Sequence, residues 1–366
     1  MVDLFSLGNK TIQDTKPYQA GKPIEEVERE LGITDIIKLA SNENPLGPSP
    51  KALEAITNSL SKLSLYPDAL YYALRKKLAE YTNHPMQNIT MGNGSENCLE
   101  ILVKAYINSG DEVIFDQYSF ATTRILIKAY GAKEILVPSN NYRHDIQAML
   151  GAVTPKTKMI VVVNPNNPTG TYITHNELVC VLQNVAPNII VVVDEAYFEF
   201  MEVDDYPNSI ELLKRYDNLV ITRTFSKAYG LAGVRLGYLL SSLPVSELLY
   251  RSRLPFNVNN CACAAGIASL DDVGFLTQTK ATNKSGMIQL ETELTKMGIS
   301  FIPSVCNFIT IDFKQHAAEY CNKFLTYGII IRPLSAYGLS NFVRVTIGTK
   351  EQNDKFISIL KKVYNA

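Results

Sequence analysis

The sequence predicts an α/β protein: an open, mostly parallel sheet in a large domain, followed by a smaller α+β domain at the C-terminus. Two observations carry this. The runs 159–163 and 189–193 are almost continuously apolar, the mark of strands buried on both faces of a parallel sheet. Between about Tyr71 and Leu240, short β-branched runs alternate with helical patterns, which is the rhythm of βαβ units. A chain of 366 residues, 46% hydrophobic and 19% charged, is long and apolar enough to bury such a core.

Taken in order, the first stretch is rich in Pro, Gly and Asn, notably over 16–23 and 42–48. Such segments favour extended and turn conformations. Residues 1–45 therefore read as an N-terminal arm packed on the small domain, with a short helix over 24–31. Pro50 opens a helix over 51–60. The large domain, 46–250, then has helices over 74–81, 96–106 and 122–130. Its strands fall at 112–115, 134–137, 160–163, 189–193, 219–223 and 236–240. The small domain, 251–366, begins with a long helix over about 272–297 that Gly298 terminates. It continues with a strand over 308–313, a helix over 316–327, strands over 328–332 and 342–346, and a last helix over 350–364. The sequence shows no internal repeat.

Composition excludes several functions. A net charge of −1 offers no basic field for nucleic acid. The first 13 residues lack a basic region followed by an apolar core, so they do not read as a secretory signal. No apolar run approaches the length that spans a bilayer. The six cysteines, Cys98, Cys180, Cys261, Cys263, Cys306 and Cys321, show no Cys-x-x-Cys spacing. They fit free thiols in a reducing cytoplasm.

The sequence has no Walker A, His-Glu-x-x-His or Gly-x-Ser-x-Gly motif. Four other segments stand at strand ends or helix starts. Gly92-Asn93-Gly94-Ser95-Glu96 precedes a helix. It is at least a tight turn, and at a helix N-terminus its backbone N–H groups form an anion site. Asp194 leaves the buried run 189–193, where open α/β sheets bind ligands. Alone it reads first as a loop acid or an N-cap; as a functional group it suits a cationic heteroaromatic nitrogen. No second acidic or His cluster stands nearby, so no metal is expected. Lys227 follows the strand 219–223 within Thr224-Phe225-Ser226-Lys227. A single lysine is ordinarily a solvated charge, but one between two buried strands is placed for something else. An imine-forming amine must be desolvated or near other positive charge, so that its pKa falls. Thr224, Ser226 and Arg235, eight residues on, are suited to hold a phosphate beside it. Asn164-Pro165-Asn166-Asn167-Pro168-Thr169-Gly170 follows the strand 160–163. It is a turn by composition, or a turn that aims the Asn167 amide at a ligand.

In that order and spacing, Asn-Pro-x-Gly at 167–170, Asp-x-x-Tyr at 194–197 and Ser226-Lys227 with Arg235 resemble the fold-type I pyridoxal-phosphate enzymes, aminotransferase classes I and II. The resemblance covers nearly the whole chain. A narrower one, to the histidinol-phosphate aminotransferases, rests on 16–23, 39–47, Tyr66-Pro67-Asp68, Asn307-Phe308, 328–332 and 343–349.

The resemblance implies pyridoxal 5'-phosphate as cofactor, with Lys227 as its imine-forming lysine and proton carrier. Asp194 keeps the ring nitrogen protonated. Asn167 and Tyr197 bond the ring's 3-oxygen. Tyr118 stacks on the ring, or is simply a packed aromatic. Gly94, Ser95, Glu96, Thr224, Ser226 and Arg235 hold the phosphate. Tyr66 reaches the cofactor phosphate of a second subunit, which implies a homodimer with shared active sites. Substrate binding falls to Tyr18, Asn42, Arg332 and Arg344. Arg344 would grip an α-carboxylate, and Arg332 the phosphate of histidinol phosphate with Tyr18 closing over it. Histidinol phosphate has no carboxylate and glutamate has two, so the duties of the two arginines stay undivided. The implied reaction is amino transfer between L-histidinol phosphate and 2-oxoglutarate in histidine biosynthesis. Amino transfer from aromatic amino acids and decarboxylation of threonine phosphate are the alternatives on this scaffold.

Overall fold

Seven strands form the central sheet of this computed structural model, which describes residues 2–15, 17 and 21–364. Their spatial order is Ile89–Gly92, Gly237–Leu240, Leu219–Thr224, Ile190–Asp194, Thr157–Val163, Glu112–Asp116 and Lys133–Val137. The last five run parallel to one another. Gly237–Leu240 is antiparallel to both neighbours. Burial on both faces is visible residue by residue. Ile160, Val162, Val191 and Val193 pack into one core, while Met159, Val161, Ile190 and Val192 pack into the other. That is why these strands read as unbroken apolar runs.

Sequence patterning located most helices to within two residues. Pro50–Ser59 starts at Ser49, whose side chain accepts from the Ala52 N–H, with Pro50 in the first turn. Six helices were not read: Lys10–Gln13, Ile146–Gly151, His175–Asn184, Ser209–Leu213, Leu243–Ser252 and Asn260–Leu270. His175–Asn184 carries a complete capping box from Thr174 and Glu177, a legible signal. Asn260–Leu270 is small and apolar all round, so it shows no stripe; it buries Ala262 and Ala265 in the large sheet's core. The edge strand Ile89–Gly92 was also missed. All four of its residues are buried, and so short a segment shows no alternation.

The long helix Val273–Lys296 is capped by the Asp272 side chain, and Gly298 follows with φ +67. A four-stranded antiparallel sheet lies beyond it, in the order Arg332–Leu334, Leu339–Thr346, Phe308–Asp312, Ser300–Ile302. One expectation is corrected here. Residues 328–332 are not one strand. Ile329–Ile330 pairs in parallel with Ile37–Lys38 of the arm, and Arg332–Leu334 pairs with Leu339–Thr346. The chain changes partner at Ile331 because the arm occupies one flank and the small sheet the other. The switch sets Arg332 directly opposite Arg344.

The arm is tied to both halves. Its helix Ile24–Leu31 and Ala40 pack on Ile330 and Leu325. Leu39 bonds Ile330 and Thr346 through its backbone, and the Asn44 side chain donates to the Ala228 carbonyl. Among the described residues, no helix is long and apolar enough to cross a membrane.

Candidate active site

Parallel sheets gather ligands at the carboxyl ends of their strands. Three strand ends converge here: Thr157–Val163 leads to Asn167, Ile190–Asp194 ends on Asp194, and Leu219–Thr224 leads through Ser226 to Lys227. They line one cavity with Ser95, Glu96 and Arg235. The opposite wall comes from elsewhere in the chain: Gly21, 40–43, Arg332 and Arg344.

Lys227 Nζ donates to the Ser41 carbonyl at 3.0 Å. Burial, and then the Arg344 guanidinium, push its pKa down to about 8, against the opposing pull of Glu43 and Glu96. The neutral, nucleophilic amine is therefore far more populated near neutral pH than that of an ordinary lysine. Asp194 is buried, and burial pushes its pKa up to about 6 although Thr222 Oγ1 donates to Oδ1 at 3.0 Å and the Ala196 N–H also bonds it. A carboxylate kept this dry calls for a cationic partner.

The pairs Asn42–Tyr197 and Arg344–Asn167 tie the two walls together. Asn42 Nδ2 donates to the Tyr197 oxygen at 2.8 Å, which leaves the phenol proton for another acceptor. Asn42 lines the cavity, but its side chain is largely committed, to Tyr197 and to Thr346 Oγ1. It takes a left-handed φ of 54, and its backbone is held by Thr346 and Asn307. Arg344 Nη1 donates to Asn167 Oδ1 at 2.5 Å and Nη2 to the Ala40 carbonyl at 2.6 Å. The Asn167 amide is thereby oriented, with its NH2 end left to donate elsewhere. Among the described residues, the buried Arg344 Nε has no hydrogen-bond acceptor.

At the other end lies an anion cradle. Gly94, with φ +85, caps the helix Ser95–Tyr106. A Cβ there would sit 2.5 Å from Arg235 Nη2, so only glycine lets the guanidinium lie against the turn. The free N–H groups of Ser95 and Glu96 begin that helix. Thr224 Oγ1 and Ser226 Oγ stand 3.0 Å apart beside them. Arg235 pairs with the Glu96 carboxylate at 3.2 Å. N–H groups, hydroxyls and a guanidinium converging at a helix N-terminus fit a phosphate.

Two expected residues are not in the cavity. Tyr118 does not present its ring there. Its N–H donates to Asp116 Oδ1 in a turn, and its ring lies 6.1 Å from that of Tyr142, in the cluster with Ile302 and Leu334. The turn brings Phe120 to the cavity wall instead. Tyr66 is 82% exposed, stacked on Phe256. Tyr18 falls outside the described residues. Sequence reasoning missed Ser41, Glu43, Phe120 and Thr222. Ser41 acts through its carbonyl, which no side-chain motif reveals. Thr222 was legible only as the residue paired with Asp194 on the neighbouring strand.

Comparison with known proteins matches this arrangement. The family model for aminotransferase class I and II matches residues 34–360. A protein named histidinol-phosphate aminotransferase 1 from Nitrosococcus oceani is 45% identical over 98% of this chain and 97% of its own. Histidinol-phosphate aminotransferase 2 from Pseudomonas aeruginosa is 45% identical over 99% of both. The chain belongs to the class I and II aminotransferases, among the histidinol-phosphate aminotransferases.

Among solved structures, the histidinol-phosphate aminotransferase of Sinorhizobium meliloti in complex with pyridoxal-5'-phosphate superposes with a TM-score of 0.91, at 26% identity and 98% coverage of each chain. An L-threonine-O-3-phosphate decarboxylase from Porphyromonas gingivalis shares the fold at 24% identity, with a TM-score of 0.80. The cavity suits the cofactor of the Sinorhizobium aminotransferase. The cradle fits its phosphate, buried Asp194 its ring nitrogen, and the low-pKa amine of Lys227 its aldehyde. Among the described residues, no group of three His, Cys, Asp or Glu side chains is placed to hold a metal.

Proposed function

We propose that this aminotransferase uses pyridoxal 5'-phosphate to move the amino group of L-histidinol phosphate onto 2-oxoglutarate, giving imidazole acetol phosphate and glutamate. The observation that carries the reading is the pair Arg332 and Arg344. They are 8% and 7% exposed, opposite each other on adjacent strands, and both line the cavity that holds Lys227. One substrate brings a phosphate and the other brings carboxylates. Both need buried guanidinium groups, which bind either anion bidentately.

Pyridoxal phosphate, when bound, supplies the electron sink for the pair left as the substrate Cα–H bond breaks. The Gly94–Glu96 backbone, Thr224, Ser226 and Arg235 would hold its phosphate, Asp194 its ring nitrogen, and Asn167 with Tyr197 its ring oxygen. Lys227 takes the Cα proton: with its pKa about 8, the amine is poised to accept and return one near neutral pH. The Ser41 carbonyl fixes where that amine rests. Arg344, itself fixed by Asn167 and Ala40, sets the anionic end of the substrate relative to it.

The working unit in this proposal is a homodimer with shared sites, in which Tyr66 serves the partner's cavity. In support, Tyr66 is exposed and stacks on Phe256, and Leu60, Leu63, Leu65, Leu70 and Leu254, close to these two in the chain, are exposed as well; exposed apolar side chains in such number suit an interface. Six free cysteines accord with a cytoplasmic enzyme. The division into arm, large and small domains at 1–45, 46–250 and 251–366 is likewise our reading.

Amino transfer from aromatic amino acids is the second reading, because Phe120, Leu99 and Val163 in the wall would take a phenyl ring as well as an imidazole. The test is kcat/KM measured side by side for histidinol phosphate, phenylalanine and tyrosine with 2-oxoglutarate. Histidinol phosphate should lead by at least about tenfold, consistent with one charged contact. A lead for phenylalanine would select the second reading. CO2 release from threonine phosphate would overturn both.

A further inference from the structure

One backbone donor at the edge of the site has no strand partner. The ladder between Glu112–Asp116 and Thr157–Val163 has its last register pair at Phe115 and Val161. The Val163 N–H lies past that end and is buried. His144, itself 5% exposed, meets it: Val163 N–H donates to His144 Nε2 at 3.2 Å. A ring nitrogen that accepts carries no proton, so the imidazole is neutral with its proton on Nδ1. Nδ1 faces Asp116 Oδ2 at 3.8 Å. That is beyond hydrogen-bond length but favourable for this tautomer. Asp116 Oδ1 accepts from the Tyr118 N–H at 2.8 Å, and Oδ2 accepts from Ser139 Oγ at 2.6 Å. Two turns that line the cavity therefore start at this pair. Val163 leads directly into the turn that carries Asn167, and Asp116 begins the turn that carries Phe120.

We propose that His144 is a positioning residue for the cofactor ring. Through Val163 it fixes the Asn167 turn, through Asp116 it braces the Phe120 turn, and it does so only while neutral. This rests on the reading of the cavity as a pyridoxal-phosphate site. The charged groups around the imidazole are Asp116 from its strand, Arg143 beside it in the chain and Glu177 from the helix His175–Asn184. The two acids favour the proton, while burial and Arg143 oppose it. Burial dominates and holds the pKa below its ordinary value. In acid, a second proton would set an N–H against the Val163 N–H, and the acceptor would be lost.

The test uses two variants of the full-length enzyme. H144L keeps bulk and removes the acceptor. H144Q places an amide oxygen near the position of Nε2 and does not titrate. Two quantities are read from pH 5 to 8: the Kd for pyridoxal phosphate, by absorbance, and hydrogen exchange over residues 163–170, by mass spectrometry. At pH 7.5, H144L should bind about fivefold more weakly, the worth of one neutral hydrogen bond, and exchange 163–170 faster. H144Q should stay within about twofold of the parent in affinity. Below the ordinary imidazole pKa, since burial lowers that of His144, the parent's affinity should fall more steeply than that of H144Q. Equal behaviour of H144L and H144Q, or an identical acid limb in the parent and H144Q, would overturn the proposal. Should H144L fail to fold, the comparison of parent and H144Q across pH decides alone. Should the parent bind no pyridoxal phosphate, the reading of the cavity fails, and exchange over 163–170 still decides whether His144 holds the turn.

Discussion

The two walls of the cavity are built differently. The wall proposed for the cofactor comes from one sheet. Asn167, Asp194, Thr224, Ser226 and Lys227 each stand at, or within a few residues of, a strand's carboxyl end, so the sheet sets their spacing. The wall proposed for the substrate is assembled from distant segments: Gly21 and 40–43 of the arm, Arg332 and Arg344. It is held by contacts to backbone carbonyls, Arg344 to Ala40 and Lys227 to Ser41. The first wall is rigid by construction. The second exists only once the arm has docked. Damage to the first should abolish chemistry, and damage to the second should mainly weaken or redirect it.

The largest expected effect is at Lys227. K227A should lower kcat by at least about a thousandfold for every amine tested, since it removes both the reactive amine and the proton carrier. A residual rate near the parent's would break the distinction between the walls. R344L should follow, with kcat/KM down about tenfold to a hundredfold for both substrates. The loss should exceed that of R344K, because Asn167 Oδ1 and the Ala40 carbonyl both lose their donor. R332Q sharpens the comparison further: unequal losses for histidinol phosphate and glutamate would divide the labour of the two arginines. N42A should cost least, about fivefold. It should appear in kcat more than in KM, because Asn42 acts through Tyr197.

Asp194 supplies a pH test. Its pKa is 3.8 for the unfolded chain and about 6 in the cofactor-free fold. A carboxyl whose folded pKa is raised favours the fold below the lower value, and that advantage is lost as pH rises through the higher one. The apoprotein should therefore lose stability between about pH 4 and 6, on the order of 3 kcal/mol from this group. A bound ring cation compensates the charge, so the rise in Tm on adding pyridoxal phosphate should be larger at pH 7 than at pH 5. D194N should flatten that difference.

The same contrast explains what was legible. Residues 159–163 and 190–193 announce a doubly covered parallel sheet because both faces must be apolar, and the motif residues follow at the strand ends. Asp194 and Lys227 could be singled out because each is a charged residue at or just past the end of a buried segment, and Arg235 because it follows Lys227 by eight residues. Ser41 could not, since its contribution is a carbonyl. The split of 328–332 into two pairings was hidden because Ile329, Ile330 and Ile331 suit either sheet. Only the docked arm decides between them. Tyr118 and Phe120 have the same aromatic character two residues apart, and the Asp116 turn determines which one the cavity sees. His144 reads as any lone histidine until the end of the neighbouring ladder shows which donor it serves.

The most direct measurement is borohydride reduction of the enzyme after loading with pyridoxal phosphate, followed by peptide mapping. One modified peptide, carrying the pyridoxyl group on Lys227, is the expected result. A group fixed on any other lysine, or no fixed group on a protein that turns over its substrates, would contradict the account.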